Sequence, residues 1–287
     1  MRVTLKDFFE LIKIRILIPA LLTTFFGYAV SLDSSFWDLL DLMWLLIGSF
    51  FVFSASAMLN HALEVDTDSL MKRTQFRPLP TKRVSFNYVL ILTVLFIIVG
   101  SFILYLKTNM LVLINSLGIF FLYNFVYTPI KKLSSLNTFI GGFPGAMPLL
   151  SGWFMVEDSI NMFILLLFVM LYFWQLPHFF AIAWIYRDSY KAAHLKMISL
   201  NDTGGLRTRF YLVISTFLFI FSLYLPLLYG SLGGIYTVSV TLLNIALLYY
   251  VGKFCMDLSD MIARKVLLVT VFYPLFIPVS YIIGLVS

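Results

Sequence analysis

Charge is scarce in this 287-residue chain, and cysteine is nearly absent. Charged residues make up 12% of it, where a soluble domain carries about 25%. Hydrophobic residues reach 61%, and mean hydropathy is +0.96. That balance excludes a water-soluble globule. It also excludes a disordered chain, because 30 Phe, 16 Tyr and 5 Trp present more apolar surface than a solvated coil exposes. The single cysteine, Cys255, excludes an internal disulfide, a CxxCH haem attachment and any cysteine-built zinc or iron–sulfur centre. No low-complexity stretch or linker interrupts the chain, which reads as one polytopic membrane domain, residues 1–287. A bilayer penalises each buried charge by about 2.5 kcal/mol or more, so the placement of the few charges is the informative feature.

A spanning helix needs about 20 mostly apolar residues. Segments near 16–32, 40–61, 86–106, 109–128, 137–156, 161–185, 209–229, 233–252 and 265–285 meet that requirement and predict an all-α bundle of about nine transmembrane helices. The connections between them alternate in basic content, and one set holds 19 of the 20 Lys and Arg residues. The positive-inside rule then places the N-terminus in the cytoplasm and the C-terminus outside. The formal charge of +6 resolves into +10 on the inner face and −4 on the outer. The first 15 residues pattern Leu5, Phe8, Phe9 and Ile12 against Lys6, Asp7, Glu10 and Lys13, an amphipathic helix at the membrane surface. They lack a small-residue cleavage site before the first apolar run and so do not read as a removed signal peptide. Two cytoplasmic connections are long and polar, 62–85 and 186–208. Their placement four spans apart suggests a duplicated four-helix unit with an added ninth helix.

The first of these connections carries the chemistry. If the second helix runs on, Asn60, Glu64 and Asp68 lie at i, i+4 and i+8 on one face. Carboxylates at Glu64, Asp66 and Asp68 repel one another, and a divalent cation with a taste for oxygen, Mg²⁺, relieves that repulsion. Lys72, Arg73 and Arg77, one to three turns further on, suit a phosphate site. Pro78 and Pro80 then end the helix. Lys82 and Arg83 read as solvated loop charges.

The pattern N-x3-[DE]-x-D-x-D-x2-M-x-R-T-x2-R-P-L resembles the first signature of the UbiA superfamily of intramembrane prenyltransferases and, more narrowly, the protoheme IX farnesyltransferase (haem O synthase) family. Here Asn60 through Leu79 follow its acidic part and its RTxxRPL part, with Lys72 preceding Arg73. Tyr127-Thr128-Pro129, the stretch Asn137 through Gly152, and Trp174-Gln-Leu-Pro177-His178-Phe179-Phe-Ala181 fit the narrower family. The likeness runs from about residue 10 to 280. It implies a UbiA-like bundle, farnesyl diphosphate and haem b as substrates, Mg²⁺ as cofactor, and a bacterial-type inner membrane as location. The product would be haem O, passed to haem-handling or oxidase-assembly proteins, and no nucleic acid is involved.

The same resemblance assigns a second carboxylate cluster to the Arg187–Met197 segment, where Asp188 would add a metal ligand and Lys191 a diphosphate contact. The family commonly shows an acidic pair before Tyr190 and a glycine near position 194; this chain has Ser189 and His194. His178, beside Pro177 inside the sixth apolar segment, is an ionisable residue at membrane depth, and membership in its motif implies a haem contact. His61 and His194 read as solvated residues at the membrane boundary. Gly141, Gly142, Gly145 and Pro144 suit close helix packing. A UbiA enzyme with another aromatic acceptor and a non-catalytic haem-binding or transport protein are the competing readings.

Overall fold

The structure is a computed structural model and describes residues 3–32, 38–200, 202, 204–229 and 233–286, with side chains through Tyr281. Residues 1–2 of the expected surface helix and residues 201 and 203 inside the second polar connection lie outside the described residues. All regular elements among the described residues are helical. In chain order they are α1 (Leu5–Leu11), α2 (Ile14–Ser31), α3 (Leu39–Leu63), α4 (Val65–Leu70), α5 (Phe86–Lys107), α6 (Met110–Phe121), a π-helical turn (Leu122–Tyr127), α7 (Thr128–Leu133), α8 (Asn137–Ala146) and α9 (Pro148–Trp153). There follow α10 (Met162–Ile185), α11 (Arg187–Ala192), α12 (Leu206–Tyr224), a 3₁₀ turn (Leu225–Tyr229), α13 (Gly234–Met256) and α14 (Asp260–Val286).

Eight of the described helical stretches are long and apolar enough to cross a bilayer. The segment expected at 137–156 differs: it is two short helices, α8 and α9, separated at Met147. Pro144 and Pro148 explain the break, since each lacks the N–H that would bond the carbonyl four residues earlier. Asn115 braces the start of α9 across the break, its Nδ2 donating to the Met147 carbonyl at 3.0 Å and to the Ser151 hydroxyl at 2.8 Å. Along the long helices the outward side chains are apolar, among them Ile91 and Phe102 on α5 and Phe217 and Phe221 on α12. Lipid, not water, is the solvent those faces require.

The chain divides into two compact units that interleave in sequence: Met1–Ser134 with Met147–Ser159 and Asp188–Leu195, and Ser135–Ala146 with Ile160–Arg187 and Lys196–Ser287. In the first unit α3 packs along α5, and α2 packs on α9. The α2/α9 contact depends on glycine. A Cβ on Gly27 would stand 1.9 Å from the Leu149 carbonyl oxygen, and one on Gly152 would stand 1.9 Å from that of Thr24. Backbones approach this closely only without side chains between them, the familiar solution for helices that gain no hydrophobic drive from lipid. In the second unit α10 is central, packed on α8, α12 and α14.

The N-terminal segment is shorter than its sequence pattern predicts. Thr4 and Asp7 form a reciprocal capping box at the start of α1. Leu11 and Ile12 are buried in the first unit, while Leu5 and Phe9 point outward. Arg83, expected as a solvated loop charge, instead ties α1 down: its guanidinium pairs with Asp7 at 2.5 Å and Glu10 at 3.2 Å.

Candidate active site

The polar site of the first unit grows out of the α3 face foreseen in the sequence. Asn60 and Glu64 of that face, and Ser56 one turn before them, each meet a partner on the fourth apolar stretch. Ser56 Oγ accepts from Asn124 Nδ2 at 2.8 Å, Asn60 Nδ2 donates to Thr128 Oγ1 at 2.8 Å, and Glu64 accepts from Lys131 Nζ at 2.7 Å. The π-helical turn sets this ladder. Thr128 Oγ1 donates to the Tyr123 carbonyl five residues back at 2.8 Å, and the wider turn rotates the polar residues onto α3. Such turns recur at functional sites.

α3 stops at Leu63, and Glu64 sits at a bend before α4, yet the Asp68 amide still bonds the Glu64 carbonyl at 2.7 Å. The spacing of the face therefore survives. The helix does not run to Pro78, as the sequence suggested: α4 ends at Leu70, and 71–84 are turns. The reason is local bonding. Thr74 Oγ1 donates to the Asp68 carbonyl at 3.0 Å, and Arg77 folds back to pair with the Asp68 carboxylate at 2.6 Å. Lys72 and Arg73 are consequently exposed on the turn, and Asp66 faces outward as well. The mutual repulsion of carboxylates is relieved pairwise, Glu64 by Lys131 and Asp68 by Arg77.

Lys13, read as part of the surface helix, is a member of this site. It occupies the bend between α1 and α2 with φ 49, and its ammonium donates to Asn60 Oδ1. Burial pushes the Lys13 amine down to about 7, helped by Arg77 and Lys131 and opposed by Glu64 and Asp68. Glu64 shows the opposite balance. Burial would raise it, but Lys131, Lys13 and Arg77 outweigh burial and hold it below the usual carboxylate range. The aromatic faces of Tyr123 and Tyr127 lie 5.9 and 4.3 Å from the Lys131 ammonium. His61, expected at a solvated boundary, is buried, and its Nε2 lies 3.0 Å from the Glu10 carbonyl. It is drawn inward because α1 folds over it.

The second polar segment contributes to the same unit. Tyr190 is buried there and its hydroxyl is pushed up, chiefly by burial, with Arg73 and Lys131 opposing and Tyr127 and Glu64 adding. Asp188 and Lys191 are exposed on α11. His194 is exposed at φ 54. That left-handed backbone is a position glycine occupies at no steric cost, which accounts physically for the glycine expected there. Among the described residues no three His, Cys, Asp or Glu side chains are grouped to hold a metal ion. Mg²⁺ does not need such a cage; it keeps waters and takes one or two carboxylates plus phosphate oxygens. Glu64 and Asp68, one helical turn apart and both ion-paired, meet that requirement.

In the second unit the polar groups around Gln175 and His178 are neutral, while Arg187 pairs with Asp260 at 2.6 Å. Gln175 Nε2 donates to the carbonyls of Gly142 and Leu171, both at 3.1 Å. Gly145 leaves room for it, since a Cβ there would lie 1.9 Å from Gln175 Oε1. His178 Nδ1 lies 2.9 Å from Thr270 Oγ1, and Trp174 Nε1 donates to the Thr270 carbonyl at 2.7 Å.

Residues 20–277 match the UbiA prenyltransferase family. The chain belongs to that family. A protoheme IX farnesyltransferase of Opitutus terrae is 35% identical over 269 residues, covering 93% of this chain and 90% of its own. One of Listeria welshimeri is 36% identical over 253 residues, covering 85% and 81%. Among solved structures, a digeranylgeranylglyceryl phosphate synthase superposes with TM-score 0.78 at 18% identity, covering 98% of both chains. A UbiA homologue from Archaeoglobus fulgidus bound to GPP and Mg²⁺ gives 0.69 at 15% identity, covering 98% of this chain and 100% of that one. At those identities the structures speak for the fold, a multi-pass UbiA bundle.

Within this UbiA chain Asn60, Glu64, Asp68 and Arg77 lie close along one stretch, Glu64 and Asp68 each ion-paired, and Lys72, Arg73, Asp188 and Lys191 are exposed. His178 belongs to the second unit. Sequence reasoning missed Lys13, Lys131, Tyr190 and Thr270 as site members. Thr128 and its partner Asn60 both lay within motif segments, but nothing in the sequence paired them. Lys131 had one available signal, a lysine one turn beyond Tyr127-Thr128-Pro129. Lys13 had none, because its role depends on a reversed bend.

Proposed function

We propose that this UbiA-family chain is a Mg²⁺-dependent intramembrane farnesyltransferase that joins farnesyl diphosphate to a vinyl group of haem b, giving haem O. The observation that carries the reading is the Asn60–Glu64–Asp68 face with its four cations, Lys13, Lys131, Arg77 and the rim around Arg73. Similarity to protoheme IX farnesyltransferases over more than nine-tenths of the chain supports haem b as acceptor.

The chemistry begins with cleavage of the farnesyl C1–oxygen bond, whose electron pair leaves with diphosphate. Arg77, Lys72, Arg73, Lys191 and the two site lysines Lys13 and Lys131 bind that leaving group and offset its developing charge. When bound, Mg²⁺ held by Glu64 and Asp68, with Asp188 as an added oxygen donor, supplies further neutralisation of the diphosphate. The vinyl π electrons of haem b bond to C1, leaving a cation on the carbon next to the macrocycle. Water adds there and loses a proton, so the product carries a hydroxyl. Aromatic faces such as Tyr123 and Tyr127 favour cationic carbon at about 0.5–2 kcal/mol each. His178 is assigned to acceptor binding.

The excess of positive charge in one set of connections supports an N-terminus-inside orientation, with the diphosphate site on the cytoplasmic side of a bacterial inner membrane. There both anionic substrates are supplied, and haem O is handed to haem-handling or oxidase-assembly proteins. The two units act as one membrane domain. Purified protein in lipid, given haem b, farnesyl diphosphate and Mg²⁺, is expected to yield haem O by mass spectrometry. Prenylated product from 4-hydroxybenzoate with none from haem would replace the acceptor, and binding of haem without turnover would favour a non-catalytic carrier.

A further inference from the structure

Two side chains one turn apart on α10, Trp174 and His178, close on a single residue of α14. That residue, Thr270, is fully buried at 0% exposure. Pro274 lies inside α14 and has no N–H, so the Thr270 carbonyl four residues earlier lacks its helical donor. The Trp174 indole takes that place at 2.7 Å. The Thr270 hydroxyl has one hydrogen and two neighbours, the Leu267 carbonyl at 2.7 Å and His178 Nδ1 at 2.9 Å. A carbonyl only accepts, so the hydroxyl hydrogen goes to Leu267 and an oxygen lone pair faces Nδ1. Nδ1 must then carry the imidazole hydrogen, an assignment made from the bonding network. In the neutral ring this leaves Nε2 as a bare lone pair. Among the described residues Nε2 has no hydrogen-bond partner, and it is not sealed from its surroundings. The Trp174 ring, 5.5 Å from the imidazole and tilted by 33°, restrains the ring's rotation.

We propose that Thr270 is a positioning residue that fixes His178 in the Nδ1–H tautomer, so that Nε2 presents its lone pair to the iron of the haem acceptor. This rests on the reading of haem b as substrate and His178 as its contact. The opposite use of the threonine hydrogen would make Nε2 a donor, suited to a propionate and not to iron. A partner on the far nitrogen of a metal-binding histidine characteristically fixes its tautomer and is worth 10–100-fold in metal affinity.

Two measurements test it. The chain has 3 histidines, so nitrogen NMR of histidine-labelled, ligand-free protein, with His178→Ala for assignment, reads the tautomer directly. Nδ1–H is expected in the wild type and in Thr270→Ser, and loss of the preference in the near-isosteric Thr270→Val. An Nε2–H tautomer in the wild type overturns the proposal, whatever haem does. In a haem b titration followed by absorption and electron paramagnetic resonance, Thr270→Val is expected to weaken binding about 10-fold or more and to lose the nitrogen-ligand signature, which Thr270→Ser restores. If His178→Ala removes that signature and Thr270→Val keeps it, the positioning role is overturned and the haem contact stands. If His178→Ala keeps it, the haem contact itself falls, and the proposal with it.

Discussion

The polar centre of the first unit is built from charge, and that of the second from neutral hydrogen bonds. Around Asn60, Lys13 donates to the Asn60 amide oxygen, Lys131 pairs with Glu64 and Arg77 pairs with Asp68. Around His178 they join an imidazole, a hydroxyl, an indole and backbone carbonyls. Each form suits what it would bind. A diphosphate brings several negative charges, and preorganised cations balanced by carboxylates can receive it without first recruiting counterions. A porphyrin brings a flat apolar face and one metal, for which a single oriented lone pair suffices. A charge buried beside His178 would cost several kcal/mol to desolvate, and no oppositely charged side chain is bonded there to offset it.

The largest predicted effect tests the charged half. Asp68→Ala removes a carboxylate and strands Arg77, and haem O formation should fall by about 100-fold or more, with Mg²⁺-dependent diphosphate binding weakened and the haem spectrum unchanged. His178→Ala should do the reverse, altering the spectrum and sparing diphosphate binding. Unchanged turnover in Asp68→Ala would remove the proposed metal role, and a spectral change in both variants would erase the division between the two centres.

Glycine contacts sharpen the comparison further. Gly27 abuts backbone and Gly145 abuts the end of the Gln175 side chain. Gly27→Ala should therefore cost about 1–3 kcal/mol in thermal or denaturant unfolding in detergent. Gly145→Ala should cost about 1 kcal/mol, because Gln175 can swing away at the loss of a hydrogen bond. Equal losses would show that the first unit is no more tightly constrained than the second.

A smaller change is expected at the rim. Ser189→Asp adds a carboxylate beside Asp188 and should lower the Mg²⁺ concentration for half-maximal rate on the order of a few-fold; an unaltered Mg²⁺ curve would place this segment outside metal binding. A further test is a slope in pH. Lys13 falls from 10.5 to about 7 on folding, so between those values the unfolded chain holds a proton that the folded one has shed. Stability of the ligand-free protein should rise with pH through that window, the cost being full below 7 and gone above 10.5. Lys13→Met should flatten the slope in melts recorded across the window, and an unchanged slope would mean that Lys13 is solvated.

Much of the membrane architecture was legible because apolar length and charge scarcity are one-dimensional properties. Eight of the expected spans appear as long apolar helices. The one at 137–156 was misread as continuous because hydropathy counts Pro144 and Pro148 as acceptable and is blind to the donors they lack. The Asn60–Glu64–Asp68 face was legible because helical spacing puts i, i+4 and i+8 together. The partners were not. Lys131 reaches Glu64 through a π-helical turn that no periodicity announces, and Lys13 reaches Asn60 through a left-handed bend. Arg83 and His61 were both assigned to solvent for the same reason, that a short N-terminal helix folding back over them is a long-range event.

Sequence alone determined that this chain is built to span a bilayer, led to the expectation that its charges gather on one side, and singled out a UbiA-type acidic face and an intramembrane histidine as the proposed reactive features. Those follow from composition, from local spacing and from motif likeness, which need no knowledge of what touches what. Only the tertiary structure decided which cation answers which carboxylate, and which nitrogen of His178 keeps its hydrogen. Both depend on side chains that meet from distant helices, where a shift of one backbone turn or one missing N–H changes the partner.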